Sequence, residues 1–179
     1  MKDLSNKVAI ITGSSSGVGA ATARLFASLG CHVVVNYNAN SAGAEQVAKE
    51  CEELGVETVC FGGSVANDTD CVAMVKAAMD KWGRVDILVN NAGTTKFVDH
   101  NNLDGLDAED FQRIYGVNVI GCYQMTRAAR AAMEANDEGG AVVNIASTAA
   151  DRDRQQHCLC GVEGSDGHDD DVTCSRSRP

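Results

Sequence analysis

The segment KVAIITGSSSGVGAATARLF constrains the fold more than any other part of the sequence. It opens with a continuous apolar run, residues 7–13, which predicts a strand buried on both faces. Glycines follow at Gly13, Gly17 and Gly19, and a helical repeat of apolar residues begins directly after them. A strand that leads through a glycine-rich turn into a helix is typical of sites where helix N-terminal amides bind phosphate.

Strand and helix then alternate five times along the chain. Short apolar runs predict strands at residues 7–13, 32–36, 57–61, 86–90 and 141–146. The first helix is predicted to bury the face that carries Val18, Ala21, Leu25, Phe26 and Leu29. Ser41 is predicted to cap the second helix, and residues 111–133 are predicted to form one long helix. This order predicts one α/β domain, with a parallel sheet covered by helices on both faces.

Composition is ordinary for a soluble globular protein and limits the partners of the chain. Hydrophobic residues make up 44% and charged residues 22%, and the formal net charge is −10. This acidity argues against nucleic acid or an anionic membrane as a partner, since both require a basic surface. The N-terminal apolar run is too short for a signal peptide or a membrane span. We therefore expect a cytoplasmic protein whose eight cysteines are reduced thiols.

Three further motifs follow the glycine-rich turn at regular intervals. Residues 90–93 (NNAG) close the fourth predicted strand, Asn118 lies in the long helix, and Ser147 follows the fifth strand. Together with TGSSSGVG at residues 12–19, they resemble the classical branch of the short-chain dehydrogenase/reductase family. The resemblance covers residues 1–150 and implies a Rossmann-type doubly wound sheet of strand order 3-2-1-4-5, without the last strands of the family fold.

The resemblance implies two groups of residues that bind a dinucleotide cofactor. The turn that would hold its diphosphate comprises Thr12, Gly13, Ser14, Ser15, Ser16, Gly17, Val18 and Gly19. The residues that would line the rest of the cleft are Ser64, Val65, Asn91, Ala92 and Gly93. The family often has an aspartate where Ser64 stands, so the adenine contact at this position differs. Taken alone, the NNAG turn would also suit a strand-end turn held by asparagine.

The resemblance also implies two catalytic residues. Asn118 would support a bound water in the proton relay, and Ser147 would hydrogen-bond the substrate carbonyl and stabilise charge on its oxygen. Without the other motifs, Asn118 would equally suit a satisfied amide within a helix, and Ser147 an ordinary cap.

The choice between NAD and NADP depends on the end of the second strand. NAD-preferring folds place an acidic residue there to bind the ribose hydroxyls. This chain has Asn36, Tyr37 and Asn38, with no carboxylate to repel a 2′-phosphate. The sequence therefore favours NADP and leaves NAD open, because no lysine or arginine stands beside these residues.

The family's proton donor is a tyrosine with a lysine four residues later, about a dozen residues after the serine. No tyrosine or lysine follows Ser147 in this chain. Tyr123 and Arg127 have a similar spacing, but they precede the serine, and we interpret them as a pair on a helix surface.

The reaction that the resemblance implies is hydride transfer between NAD(P) and a carbonyl or secondary alcohol. Members of the family are mostly homo-oligomeric. An alternative is a dinucleotide-binding module without catalysis.

Residues 151–179 depart from the preceding pattern. They contain three aliphatic side chains and no aromatic residue, which favours disorder. One set of codons for DRDRQQHCLCGVEGSD, read one nucleotide later, encodes TGIGSSIAYAASKGAM, with a tyrosine and a lysine four residues apart. We therefore interpret the tail as the correct gene in the wrong reading frame. A zinc site is the rival interpretation, and its ligands would be His157, Cys158, Cys160, His168 and Cys174. Their spacing matches no standard zinc motif, so we expect no metal.

Overall fold

A computed structural model of the chain describes residues 4–99 and 101–147 and the backbone of residues 174–176. The strands are β1 (Val8–Ile11), β2 (His32–Tyr37), β3 (Thr58–Gly62), β4 (Ile87–Asn90), β5 (Ala141–Asn144) and β6 (Cys174–Arg176). The helices are α1 (Gly17–Ser28), α2 (Ser41–Glu53), α3 (Asp68–Trp82), α4 (Ala108–Tyr115) and α5 (Gly121–Glu134). The predicted alternation of strand and helix is therefore confirmed.

The first five strands form a parallel sheet of order β3-β2-β1-β4-β5. This order confirms the predicted doubly wound α/β fold. The three-residue β6 adds to the sheet beside β5 in antiparallel orientation. Of the tail at 151–179, the structure describes only the backbone of these three residues. The expected disorder of the rest, and the alternative zinc ligands other than the backbone of Cys174, lie outside the described residues.

Two apolar layers cover the sheet. On one face, α3 and α5 pack over a cluster that includes Ile10, Leu88, Met74 and Met125. On the other face, α1 and α2 pack over a second cluster that includes Ile11 and Val35. Strands buried on both faces explain why the sequence shows continuous apolar runs.

The buried face of α1 differs from the prediction. Val18 and Leu25 are 61% and 51% exposed, and Ala21 is exposed as well. The buried residues of this helix are Gly19, Ala20, Ala23 and Ala27. Small side chains bring the helix axis close to the sheet, so the predicted core face was wrong for Val18, Ala21 and Leu25, whereas Phe26 packs against the cluster as predicted.

Two other helix features differ from the prediction. The cap of α2 is Asn40, whose side chain accepts a hydrogen bond from Gly43 N at 3.1 Å, and Ser41 is the first helical residue. The long helix is continuous but changes character at Gly116–Ile120, which form a π-helical turn between α4 and α5. Such turns are often found at functional sites, and this one contains Asn118.

The described residues carry no disulfide, and Cys31, Cys51, Cys60, Cys71 and Cys122 are free thiols. Burial raises the pKa of the Cys31 thiol to about 12 and that of the Cys71 thiol to about 11. These thiols are therefore protonated and unreactive at neutral pH. In the described part of the chain, no helix has the length and apolar character needed to cross a membrane.

Candidate cofactor and carbonyl site

The glycine-rich turn and the NNAG turn lie side by side at the carboxyl edge of the sheet. Thr12 Oγ1 accepts hydrogen bonds from Asn91 N at 3.0 Å and from Ala92 N at 2.9 Å. In return, Asn91 Nδ2 donates to Thr12 O at 2.8 Å and to Gly13 O at 3.1 Å. These four bonds join the two turns into one rigid edge, as the resemblance implied for a shared cleft.

Glycine is needed at the three positions of the turn for different structural reasons. A Cβ at Gly13 would lie 2.9 Å from Ala92 Cα, and one at Gly19 would lie 2.5 Å from Asn91 Nδ2, so both positions require close backbone approach. Gly17 has a φ of +56°, and a Cβ there would meet nothing within 4 Å. Gly17 therefore borders open space at the N-terminus of α1, where the amides can bind a diphosphate. The turn fits a dinucleotide.

The serines of the turn divide between interior and surface. Ser14 is fully buried, and its Oγ donates to Ile11 O at 2.7 Å. Ser15 is half-buried, and Ser16 is exposed. Ser16 is the N-cap residue of α1, but its side chain makes no capping hydrogen bond. Ser16 and the exposed Val18 therefore lie at the surface of the turn, whereas Ser14 supports it from below.

The residues at the end of β2 also differ in exposure. Asn36 is 2% exposed, and its side chain is hydrogen-bonded to the protein, including Gly13 N at 3.0 Å. Tyr37 is half-buried, and its ring lies across Gly62, where a Cβ would be 2.9 Å from Tyr37 Cζ. Asn38 is exposed. Of these three predicted residues, Tyr37 and Asn38 are accessible to a ligand.

Ser64 and Val65 begin the connection from β3 to α3. Ser64 N donates to Asp70 Oδ2 at 2.9 Å, and Ser64 Oγ accepts from Ala66 N at 3.3 Å. Val65 is 5% exposed and packs closely against Gly121, where a Cβ would lie 2.7 Å from Val65 Cγ2. The Val65 side chain is therefore buried behind this connection and is not accessible from the cleft.

The π-helical turn brings Asn118 to the NNAG turn. A Cβ at Gly93 would lie 3.7 Å from Asn118 Oδ1. The same oxygen accepts a hydrogen bond from Thr94 N at 2.8 Å, and Asn118 Nδ2 donates to Thr94 O at 3.0 Å. The side-chain amide of Asn118 is thus satisfied by the loop, which is the alternative that the sequence left open.

Sequence reasoning missed the charged group that holds this loop against α4. Lys96 Nζ donates to Asp110 Oδ2 at 2.5 Å, and Arg113 contacts both Asp110 Oδ1, at 3.1 Å, and Thr94 Oγ1, at 2.9 Å. The hydrogen bond from Lys96 lowers the pKa of Asp110 to about 2, and hydrogen bonds from the Arg113 guanidinium and the backbone N–H of Asp107 contribute. The available signal was the Asp107–Asp110 spacing, because these residues form a capping box at the start of α4.

Ser147 follows β5 at the same edge of the sheet and is half-buried. The strand that leads to it is tied to β4, since Asn90 Nδ2 donates to Asn144 Oδ1 at 2.8 Å and Ile145 N donates to Asn90 O at 2.9 Å. The structure therefore places Ser147, the NNAG turn and Asn118 at the carboxyl ends of neighbouring strands and on the helix beside them. Open parallel sheets bind their ligands at this edge.

Tyr123 and Arg127 lie elsewhere. Tyr123 is 64% exposed, and Arg127 Cζ lies 5.7 Å from the centre of its ring. Arg127 also pairs with Asp68. This surface pair matches our interpretation of the spacing.

Among the described residues, no group of three or more His, Cys, Asp or Glu side chains could hold a metal ion.

A groove of about 630 Å³ lies at the opposite, amino end of the sheet. Ser5, Gly30, His32 and Leu54 are among its lining residues. No motif of the sequence reaches this end of the strands, so we assign the candidate site from the geometry of the turns and not from the size of this groove.

Comparison with known proteins agrees with the fold. The family model described as short chain dehydrogenase matches residues 7–159. A 3-oxoacyl-[acyl-carrier-protein] reductase from Synechocystis is 36% identical over 149 residues, which are 83% of this chain and 59% of that protein. The chain therefore belongs to the short-chain dehydrogenase/reductase family, whose members are NAD(P)-binding oxidoreductases.

Two solved structures show the same fold. A short-chain dehydrogenase/reductase from Burkholderia xenovorans superposes with a TM-score of 0.81 at 37% identity, covering 89% of this chain and 67% of that one. A 7α-hydroxysteroid dehydrogenase complexed with NADH and 7-oxo glycochenodeoxycholic acid gives 0.80 at 31% identity, covering 89% and 60%. The chain spans less than two thirds of the length of the curated relatives that it matches.

Proposed function

We propose that residues 1–150 bind a nicotinamide dinucleotide at the edge formed by the glycine-rich and NNAG turns. The observation that carries this proposal is Gly17, whose positive φ and open surroundings leave the N-terminus of α1 free for a diphosphate. The structure neighbour complexed with NADH supports the same class of ligand. Titration with NADPH and NADH, followed by the fluorescence of the reduced nicotinamide, tests the proposal.

We further propose NADP as the preferred cofactor. The accessible residues at the end of β2, Tyr37 and Asn38, carry no charge that would repel a 2′-phosphate. NADPH should therefore bind at least as tightly as NADH in the same titration. A clear preference for NADH would overturn this choice without affecting the proposal of a dinucleotide site.

The reaction that we propose for the family's complete machinery is reduction of a carbonyl or oxidation of a secondary alcohol. The bound coenzyme contributes hydride chemistry. Ser147 would donate a hydrogen bond to the carbonyl oxygen. Asn118 would support a bound water in the proton relay, while its side chain holds the neighbouring loop. The reductase relative supports a substrate of the 3-oxoacyl type. The net charge of −10 favours a small molecule over nucleic acid or an anionic membrane as the partner, and we propose the cytoplasm as the location of the chain.

This chain as written lacks the family's tyrosine and lysine, since neither residue type follows Ser147. General acid catalysis contributes a factor of about 10²–10⁴, so we propose little or no turnover. A dinucleotide-binding module without catalysis is the second candidate, and the same missing pair favours it. Saturable NADPH binding by a folded chain supports the module, whereas an unfolded chain that does not bind indicates an enzyme that has lost its function.

For residues 151–179 we propose a shifted reading frame, on the sequence evidence given above. The shifted reading supplies a tyrosine at the place of Leu159, about a dozen residues after Ser147, and a lysine four residues later. The nucleotide sequence of the gene tests this proposal directly.

A further inference from the structure

Asn36 lies beneath the candidate site with all of its polar groups hydrogen-bonded to the protein. Its Oδ1 accepts from Gly13 N at 3.0 Å, and its Nδ2 lies at donor distance from Gly63 O at 3.0 Å and Phe61 O at 3.2 Å. Its backbone oxygen accepts from Ser14 N at 2.9 Å. One buried side chain thus bonds to the end of β1 and to the end of β3.

The two segments that Asn36 joins follow β1 and β3, the strands on either side of β2, and would form two walls of the proposed cleft. Gly13 and Ser14 belong to the turn that would bind the diphosphate, and Gly63 precedes Ser64 in the turn that would lie near the adenine. Ser14 strengthens the connection, because its Oγ accepts from Asn36 N at 3.0 Å and donates to Ile11 O at 2.7 Å. A buried network whose members are all satisfied holds its parts in one arrangement.

We propose that Asn36 is a positioning residue that sets the distance between the phosphate turn and the β3–α3 turn, and that it takes no part in choosing between NADP and NAD. The sequence grouped it with Tyr37 and Asn38 as a selectivity residue. Its burial separates it from the exposed Asn38, two residues later. This inference rests on the proposed function for its consequence in cofactor binding, but the connection between the walls exists without a ligand.

Asn36→Asp is the decisive variant, with Asn38→Asp as its matched control. The buried aspartate retains an acceptor for Gly13 N but loses every donated bond and places a charged oxygen against the carbonyls of Gly63 and Phe61. In the ligand-free chain, amide hydrogen exchange at residues 13–16 and 61–64 should rise about tenfold, because buried unpaired acceptors are unfavourable. Asn38→Asp should leave both segments unchanged. Peptides from β4 (Ile87–Asn90) are the internal reference, since a general loss of stability would accelerate exchange there too.

Coenzyme titration gives a second readout. Asn36→Asp should weaken the binding of NADPH and of NADH by the same factor. Asn38→Asp should weaken the binding of NADPH more than that of NADH. If Asn36→Asp does not fold, Ser14→Ala replaces it. This variant removes the acceptor of Asn36 N and should accelerate exchange at residue 36 and at residues 13–16, but not at residues 61–64. Unchanged exchange at both walls in Asn36→Asp, or a changed ratio of NADPH to NADH affinity, would overturn the inference. If the unaltered chain binds neither coenzyme, the proposed function fails, and the exchange comparison still decides the role of Asn36.

Discussion

Asn118 and Thr94 are joined by a pair of hydrogen bonds that resembles a pairing between two backbone amides. Asn118 Oδ1 accepts from Thr94 N at 2.8 Å, and Asn118 Nδ2 donates to Thr94 O at 3.0 Å. The pair connects the π-helical turn Gly116–Ile120 to the loop after the NNAG turn. An asparagine that is a poor helix former therefore has a structural role in this position, in addition to the catalytic role that we propose for the site.

Replacing Asn118 by alanine should loosen the loop at residues 94–99. The variant removes both bonds to Thr94 and retains the bonds of Lys96 and Arg113. Amide exchange in this loop should rise about tenfold, in line with the loss of bonds to a partly buried backbone. Gln124→Ala is the control in the following helix α5, because Gln124 bonds instead to Val65 O at 2.8 Å. Equal exchange of the loop in both variants would mean that the Asn118 pair does not hold it.

Gly17→Ala should weaken NADPH binding. Both Gly17 and Gly83 have a positive φ and open surroundings, so alanine at either position costs about 1 kcal/mol of stability. Only Gly17 borders the candidate diphosphate site, where a methyl group would occupy the space of the ligand. We expect the dissociation constant for NADPH, measured by fluorescence titration, to rise about tenfold or more in Gly17→Ala.

Gly83→Ala is the matched control for this comparison, since Gly83 caps α3 at the other end of the sheet. It should lower the melting temperature as Gly17→Ala does and leave NADPH affinity unchanged. Loss of affinity by the same factor in both variants would show that stability, and not the occupied space, determines binding.

The sequence was informative wherever a feature depends on local chemistry. The alternation of apolar runs and helices predicted the parallel sheet, and the resemblance to the family implied its strand order; both agree with the structure. The buried face of α1 could not be predicted, because the close approach of Ala20 and Ala23 to the sheet depends on tertiary packing. The internal position of Asn36 was equally hidden, since its partners Gly13 and Gly63 lie 23 and 27 residues away.

Asp86 should make the stability of the chain sensitive to acid. This carboxylate is 6% exposed and accepts from Val8 N at 2.9 Å and from Arg84 Nε at 2.8 Å. Burial alone would raise its pKa, but the bonds from Arg84 and Val8 and the charge of Lys7 outweigh burial and lower the pKa below the ordinary value. A lowered folded-state pKa contributes stability above the unfolded-state pKa, and this contribution is lost as pH falls through the folded-state pKa. Urea unfolding between about pH 7 and about pH 3 measures it.

Asp86→Asn tests that contribution. The variant leaves Arg84 without its charged partner and should cost about 2–4 kcal/mol at neutral pH, with a smaller loss in acid. Asp80→Asn is the comparison, because Asp80 forms an exposed pair with Lys76 that contributes at most about 0.5 kcal/mol. An equal effect of the two substitutions would contradict the assignment.

The proposed shift of the reading frame predicts particular codons in the gene. The codon of Leu159 should end in TA, since the shifted frame then reads tyrosine, and the codon of Glu163 should be GAA, since it then reads lysine. Sequencing the gene around these codons provides the measurement. A CTG codon for Leu159 rules out the shifted reading and leaves the tail as a genuine part of the protein.

The most direct test of the account is one titration of the unaltered chain. NADPH is added until its fluorescence change saturates, and a 3-oxoacyl ester is then added while the absorbance of the reduced nicotinamide is followed. We expect saturable binding at the glycine-rich turn and no oxidation after the ester is added, because the tyrosine and lysine are missing. Absence of binding by a folded chain, or clear ester-dependent oxidation, would contradict it.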